Sequence, residues 1–319
     1  LENPGGISAD GYQELIESGV DAVAIESPPY FHPEQTVAAL EAGKHVFLAK
    51  PMAVDVPGCK AIVEAAEKHQ ANVSCLVDFQ TRNDDLFREA AKRIHDGMIG
   101  DVVSGQAYYI CNRLGIKTDP GTEAARLRNW VFDQALSGDI IVEQNIHVLD
   151  VANWFVGDHP VRATGHGGLK ARTDIGDTWD HYAVAYEYPD DVLINFTSGQ
   201  YPPGYTDLCT RVYGVDGTCD AHYGGEVWIN SKSDRWQGGE TNDIYRQGAV
   251  NNIVDFVEGI QNGELLNNAR EAGNSTLTSI LGRMAARGGA SMTWDEMMAD
   301  DTRLDAELNL SKDATHAFI

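Results

Sequence analysis

The sequence predicts an α/β chain in two parts: an open parallel sheet with helical crossovers, then an α+β unit on one large, mostly antiparallel open sheet. Three observations carry this. Short apolar runs alternate with helical segments up to about residue 100. Strand-like segments separated by turn residues fill roughly 160–230. Two helical segments, about 247–261 and 274–287, then follow. The division falls into residues 1–100 and 101–319.

Residues 8–18 read as a helix, with Ser8 as cap and Leu15 and Ile16 on the apolar side. Asp21 to Ile25 is a buried strand stopped by Ser27-Pro28-Pro29. A helix from Pro33 to Ala42 opens on proline and closes at Gly43. The strand His45-Val-Phe-Leu-Ala49 runs into Lys50-Pro51. A helix over 56–69 and a strand over 72–77 complete three parallel strands joined by right-handed crossovers. A helix over 86–94 and a strand over 102–110 follow. Residues 112–138 read as a functional loop with some helix, and Val142 to Phe155 as one helix. Later strands are expected at 182–188, 192–197, 210–213 and 226–229.

Composition narrows the function. The net charge of −24, with no basic block, argues against nucleic acid and anionic membranes as partners. An acidic surface of this kind suits a saline habitat or plain solubility. No apolar run reaches the roughly 18–20 residues of a membrane span. The five cysteines, Cys59, Cys75, Cys111, Cys209 and Cys219, lack the close spacing of a zinc site and read as reduced structural thiols. No metal is expected. The chain opens on Leu1 rather than Met, which suggests a piece of something longer.

In open parallel sheets ligands bind beyond the carboxyl ends of the strands. Three such ends carry polar residues here: Ser27-Pro28 with His32, Lys50-Pro51, and Asp78 to Arg82. A lysine in that position can be partly desolvated and act as an acid–base group, or it can simply be a solvated loop lysine. Glu143, His147 and Asp150 are spaced to share one helical face, backed by Val142, Ile146, Leu149, Ala152 and Phe155. That pattern also describes an ordinary surface helix. A strand-end lysine with a carboxylate–imidazole pair suits proton transfer coupled to hydride transfer at a carbinol carbon. Arg126 to Trp130 and Tyr108 to Arg113 combine rings with hydrogen-bond donors, as sugar-binding surfaces do. His181-Tyr182 opens a strand that could face the same cleft.

The run Ser27-Pro-Pro-Tyr-Phe-His32, the run Glu41-Ala-Gly-Lys-His-Val-Phe-Leu-Ala-Lys-Pro-Met52, and the run Ser137-Gly-Asp-Ile-Ile-Val-Glu-Gln-Asn-Ile-His-Val-Leu-Asp150 together resemble the Gfo/Idh/MocA oxidoreductases. Thr276 to Ala286, followed by Thr293-Trp-Asp-Glu296, is similar to the C-terminal end of one bacterial subgroup, often exported by the twin-arginine route. The resemblance implies an NAD(P)-dependent oxidoreductase acting on a secondary alcohol of a sugar, cyclitol or related polyol. It implies Lys50 as proton donor or acceptor, His147 as its partner, and Glu143 where the family usually has Asp. Ser27 and Pro28, with His32 behind them and Lys50, would meet the nicotinamide side of the cofactor. Arg128, Trp130 and Tyr182 would touch substrate.

Two departures stand out. The Glu of the family's Glu-Lys-Pro is Ala49. The glycine-rich turn that holds pyrophosphate is missing, with about 60–70 residues of the Rossmann-type half, so weak or absent dinucleotide binding is expected of this truncated chain. Alternatives within the resemblance are an NAD-dependent glycosidase working by transient oxidation and a non-catalytic truncated sugar-binding paralogue. A homodimer or homotetramer through the large sheet is expected. The compartment would be cytoplasmic, or periplasmic if a twin-arginine signal preceded Leu1.

Overall fold

The computed structural model describes residues 11–202 and 204–308. The Ser8 cap therefore lies outside the described residues. In chain order the first elements are α1 (Gly11–Glu17), β1 (Ala22–Ile25), α2 (His32–Glu41), β2 (His45–Ala49), α3 (Val56–His69), β3 (Cys75–Asp78), α4 (Asp85–His95) and β4 (Val102–Cys111). Short helices α5 (Glu123–Arg128), α6 (Gln134–Ser137) and α7 (Ile140–Glu143) lead into α8 (Ile146–Val156). Next come β5 (Arg162–Gly168), β6 (His181–Glu187), β7 (Leu193–Gln200), β8 (Asp207–Gly214), β9 (Gly217–His222), β10 (Glu226–Ser231) and β11 (Arg235–Glu240). The chain ends with α9 (Ile244–Asn262), α10 (Ala269–Gly288), β12 (Met292–Thr293) and α11 (Trp294–Met298).

β1, β2 and β3 form a parallel sheet in that order. Their apolar runs are buried on both faces, as crossover helices require. Val46, Leu48 and Val77 pack with Leu40 and Ile62 of α2 and α3 on one side. Phe47 and Leu76 meet Phe256 of α9 on the other. α3 starts at Asp55, whose carboxylate accepts from Gly58 N, a cap worth about 1 kcal/mol. The second oxygen of Asp55 accepts from Leu304 N, 249 residues on, and so ties the C-terminal segment to α3.

The second sheet runs β11-β10-β9-β8-β4-β7-β6-β5-β12. Every pair is antiparallel except β4 with β7. Alternation sorts its faces. Ala107, Tyr109, Val184, Tyr186, Ile194, Val212 and Ala221 point to the helices α4, α8 and α10. Helix α10 lies on β5 and β6 and also against α3. Its approach depends on Gly282, where a Cβ would fall 1.9 Å from the Tyr186 hydroxyl. The segment before α10 extends the first sheet: Cys75 N donates to Leu266 O, and the Asn268 side chain bonds both polar groups of Val77. No helix among the described residues is long and apolar enough to cross a membrane.

Two sequence expectations need correction. The helix expected over 142–155 is broken. Gln144 N and Asn145 N both donate to Ile140 O, ending α7, and α8 restarts at Ile146. Strands β5, β9 and β11 were also not foreseen. β5 and β11 are rich in glycine, and β9 begins at Gly217, which reads as the end of a turn. Pairing with neighbours, not local propensity, makes these segments strands.

Candidate active site

Lys50 leaves the carboxyl end of β2 and reaches Glu143 across the sheet boundary. Its ammonium donates to the Glu143 backbone carbonyl and, over 3.1 Å, to Oε1. The break after α7 places that carbonyl at a helix end, where a cation is the natural partner. The two side chains are only 17% and 14% exposed, so the pair is shielded from solvent. An ammonium carries three N–H donors. Glu143 engages two, and one is left for a ligand oxygen.

His147 stands one turn further on, 6% exposed, with no hydrogen-bond partner at Nδ1 among the described residues. Burial holds its pKa well below the usual range, and the Lys50 charge pushes the same way. The ring is thus neutral. It packs 5.3 Å from the Tyr223 ring, and Tyr223 meets Tyr245 edge-on at 4.6 Å. The Tyr223 hydroxyl donates a hydrogen bond to Gln80 Oε1 at 2.5 Å. Gln200 Nε2 donates to Gln144 Oε1 at 2.7 Å. On this side of β4 lie Tyr109 and Cys111, whose thiol burial pushes up to about 11.

Asp150 does not join the lysine pair. It is fully buried, accepts a two-pronged contact from Arg82 at 2.8 and 2.9 Å, and takes a bond from Ser275. Arg82 in turn lies 4.8 Å over the Trp154 ring. Helix α8 is buried almost all round, which removes the surface-helix reading of its polar residues. Asp150 therefore anchors α8, and His147 and Glu143 remain as the candidates from this stretch.

The other strand ends converge on the same crevice. Burial raises the pKa of Glu26, after β1, with help from Asp78, while the Lys50 charge lowers it. Asp78, at the end of β3, is also raised, chiefly by burial. Its carboxylate accepts from Asn252 Nδ2 at 2.6 Å. Ser27 Oγ donates to Gln35. Pro28 opens the short turn that follows β1.

His32 is fully buried and bridges two strand ends. Nδ1 lies 2.8 Å from Pro51 O and Nε2 2.7 Å from Ser27 O. Two carbonyls favour the imidazolium, but burial outweighs them and lowers the pKa to about 4. His32 thus positions the crevice walls rather than facing a ligand. The unfolded chain takes up this proton near 6.5, the folded one only near 4, so the contribution is complete above 6.5 and is lost as pH falls towards 4. The slope is about 1.4 kcal/mol per pH unit within that window. An NMR titration should find the His32 ring neutral down to about pH 5; a midpoint near 6.5 would contradict this.

The structure distributes the remaining sequence candidates. Arg128 is exposed on α5 and Trp130 is half-buried beside it. Tyr182 is in the core: it packs on Trp179 and donates its hydroxyl to Asp139 at 2.8 Å. Tyr108 takes the outer face of the sheet, and Tyr109 the cleft side. Sequence reading missed Tyr223, Tyr245, Gln144 and Gln200, and took in Gln80 only as part of the Asp78 to Arg82 strand end. Only Tyr245, an aromatic left 55% exposed at the start of α9, carries a local signal.

The donor set fits the nicotinamide end of a dinucleotide: an ammonium, carboxyl groups and a serine at adjacent strand ends above an apolar core. The sequence holds no G-x-G-x-x-G for the pyrophosphate.

Residues 2–77 match the oxidoreductase family with an NAD-binding Rossmann fold, and residues 87–220 match the GFO/IDH/MocA C-terminal domain. The scyllo-inositol 2-dehydrogenase (NAD(+)) of Bacillus subtilis (strain 168) is 28% identical over 214 residues, covering 66% of this chain and 58% of that protein. An inositol 2-dehydrogenase of Klebsiella pneumoniae (strain 342) is 31% identical over 216 residues, 65% and 56% of the two chains. The chain thus spans less than two thirds of the length of these curated relatives. A solved levoglucosan dehydrogenase, in complex with NADH and levoglucosan, superposes with a TM-score of 0.73 at 18% identity, covering 88% of this chain and 82% of that one.

Proposed function

The chain belongs to the Gfo/Idh/MocA family of oxidoreductases, and on that premise we propose that the intact protein is an NAD(P)-dependent dehydrogenase. Its substrate is a secondary alcohol of a sugar, cyclitol or related polyol. The observation that carries this is the shielded Lys50–Glu143 pair beside a neutral His147, in a cleft walled by tyrosines. The printed names of the relatives, inositol dehydrogenases among them, support the same substrate class.

A bound nicotinamide would supply the hydride acceptor or donor. The chain's own residues handle the proton and the orientation. The free N–H of Lys50 meets the reacting hydroxyl oxygen. On oxidation Lys50 passes a proton to Glu143 Oε1, 3.1 Å away, and takes the hydroxyl proton in its place. Reduction reverses the order. His147, uncharged, serves a neighbouring hydroxyl without competing for the proton at Nζ. Tyr245, exposed at the start of α9 and backed edge-on by Tyr223, offers its ring to the C–H side of a cyclic polyol. Arg128 and Trp130 remain candidate contacts from the 112–138 segment.

The dinucleotide-binding part runs to about residue 100, where α4 gives way to β4. This chain by itself binds dinucleotide weakly, because the pyrophosphate lacks its glycine cradle. The large nine-stranded sheet carries the contact of a homodimer or homotetramer.

The test is a screen of the intact protein with NAD and NADP against inositols, aldoses and anhydrosugars, followed through reduced nicotinamide. Cofactor reduction with a cyclic polyol is expected. Release of a free aglycone without net NADH would replace the reading with a glycosidase, and sugar binding without turnover or cofactor would replace it with a binding protein. A parallel fluorescence titration of this chain with NADH should give no saturation at micromolar concentrations. Tight binding there would overturn the weak-binding proposal alone.

A further inference from the structure

We propose that the outer face of the large sheet holds a divalent metal ion, of the zinc class, on Asp207, Cys209 and His222. The site lies on the opposite side of the sheet from the cleft and does not depend on the reaction proposed above. Cys209 and His222 are direct cross-strand partners between β8 and β9. Asp207 is two residues before Cys209 on the same face, and Asp220 two residues before His222, opposite Arg211. Alternation puts all of these away from the helices, since Leu208, Val212, Cys219 and Ala221 take the core side.

One ligand atom from each of Asp207, Cys209 and His222 lies within 4.8 Å of the other two. Tetrahedral zinc with bonds near 2.0–2.3 Å needs its ligand atoms roughly 3.3–3.7 Å apart. His222 Nδ1 is already 3.8 Å from Asp207 Oδ1, so side-chain rotation closes the rest. A carboxylate, a thiolate and an imidazole with an open fourth position form a recognised donor set for that ion.

The surroundings complete the arrangement. Asp220 Oδ1 is buried, forms no aligned hydrogen bond, and stands 3.2 Å from His222 Nε2. A small turn of the ring makes Nε2–H the donor to that oxygen and fixes the lone pair on Nδ1, towards the other ligands. Metal-bound histidines are oriented in this way by a carboxylate behind them. Arg211 holds the second oxygen of Asp220 at 2.7 Å. The charges balance: two positive on the metal against one each on Asp207 and the Cys209 thiolate, with Arg211 and Asp220 cancelling. The ring needs a bare neighbour as well, because a Cβ on Gly225 would come 2.8 Å from His222 Cβ.

The loading has a structural consequence. Tyr223, next in the chain, packs on His147 on the other face of the sheet from the site, and donates its backbone N–H to Leu208 O. A metal bridging β8 and β9 at residues 207–222 stiffens the strand ends that carry this cleft tyrosine.

Titration of the protein with Co²⁺, monitored by absorption, tests the site. One equivalent should bind, with a thiolate-to-metal charge-transfer band and tetrahedral ligand-field bands, and Zn²⁺ should displace it. Cys209→Ser should abolish the charge-transfer band. Asp220→Asn, which removes no ligand, should weaken binding by about 10–100-fold. Thermal melts with Zn²⁺ should show a stabilisation in the parent that Cys209→Ser loses. No charge-transfer band in the folded parent protein would overturn the proposal. So would a band that survives in Cys209→Ser, which would move the ion to another of the cysteines.

Discussion

Replacing Lys50 by methionine in the intact protein is expected to lower turnover by about 10²–10⁴-fold, the usual worth of a positioned acid–base group. Methionine keeps the length and the apolar stem of lysine but carries no proton. It also leaves the Glu143 carbonyl and Oε1 without their donor. The loss should fall on kcat far more than on KM, because the tyrosine and glutamine walls of the cleft stay in place. Lys50→Arg should not restore activity, since a guanidinium keeps its proton under all working conditions. Glu143→Gln preserves a hydrogen bond to Nζ but removes the proton acceptor, and should show a large fall as well. Steady-state kinetics on the purified variants, with a thermal melt to show that each is folded, decide the matter. Turnover within a few-fold of the parent in Lys50→Met would remove Lys50 from the chemistry.

Asp139→Ala is expected to destabilise the protein by about 3–5 kcal/mol, the range for removing one partner of a buried ion pair. Asp139 is fully buried and takes four kinds of donor: Ile140 N at 2.8 Å, Trp179 N at 3.0 Å, Tyr182 Oη at 2.8 Å and Arg287 Nε at 2.9 Å. Arg287 also lies 4.7 Å over the Trp179 ring, so the cluster is one connected unit. Alanine would leave the buried tyrosine hydroxyl unpartnered and the half-buried guanidinium without its carboxylate. It would also have to adopt a φ of 83°, which a short polar side chain tolerates better than a methyl. Because Asp139 begins α7, the same change should displace Glu143 and lower activity together with stability. Asp139→Asn, which keeps the shape and loses the charge, should cost less. Urea denaturation measures both. A loss below about 1 kcal/mol in Asp139→Ala would mean that the cluster is not what holds α7.

These predictions differ in what made them visible. Lys50 was legible because a short apolar strand ending in Lys-Pro is a local signal, and strand ends in parallel sheets gather at one crevice. His147 was legible from its spacing to Glu143, yet the helix that justified the spacing is broken between them. Asp150 fitted the same spacing and went instead to Arg82 and Ser275. Tyr182 had the composition of a sugar contact, but alternation along β6 turned it into the core and onto Asp139. His32 was placed near the cofactor and lies near the crevice, but as a buried tie between Ser27 and Pro51.

By itself the sequence determined the class of fold, the order of most elements and the place of Lys50 at a strand end, because these rest on periodicities and end signals spanning a few residues. Tertiary structure alone decided which polar residues meet. Tyr223 meets His147, and Tyr245 meets Tyr223, only once β9 and α9 are docked. Asp207, Cys209 and His222 assemble only in cross-strand register, so no spacing along the chain announces them. Such contacts join residues far apart in sequence, and the register that aligns them is set by burying one face of a sheet, a choice that belongs to the whole core and not to any segment.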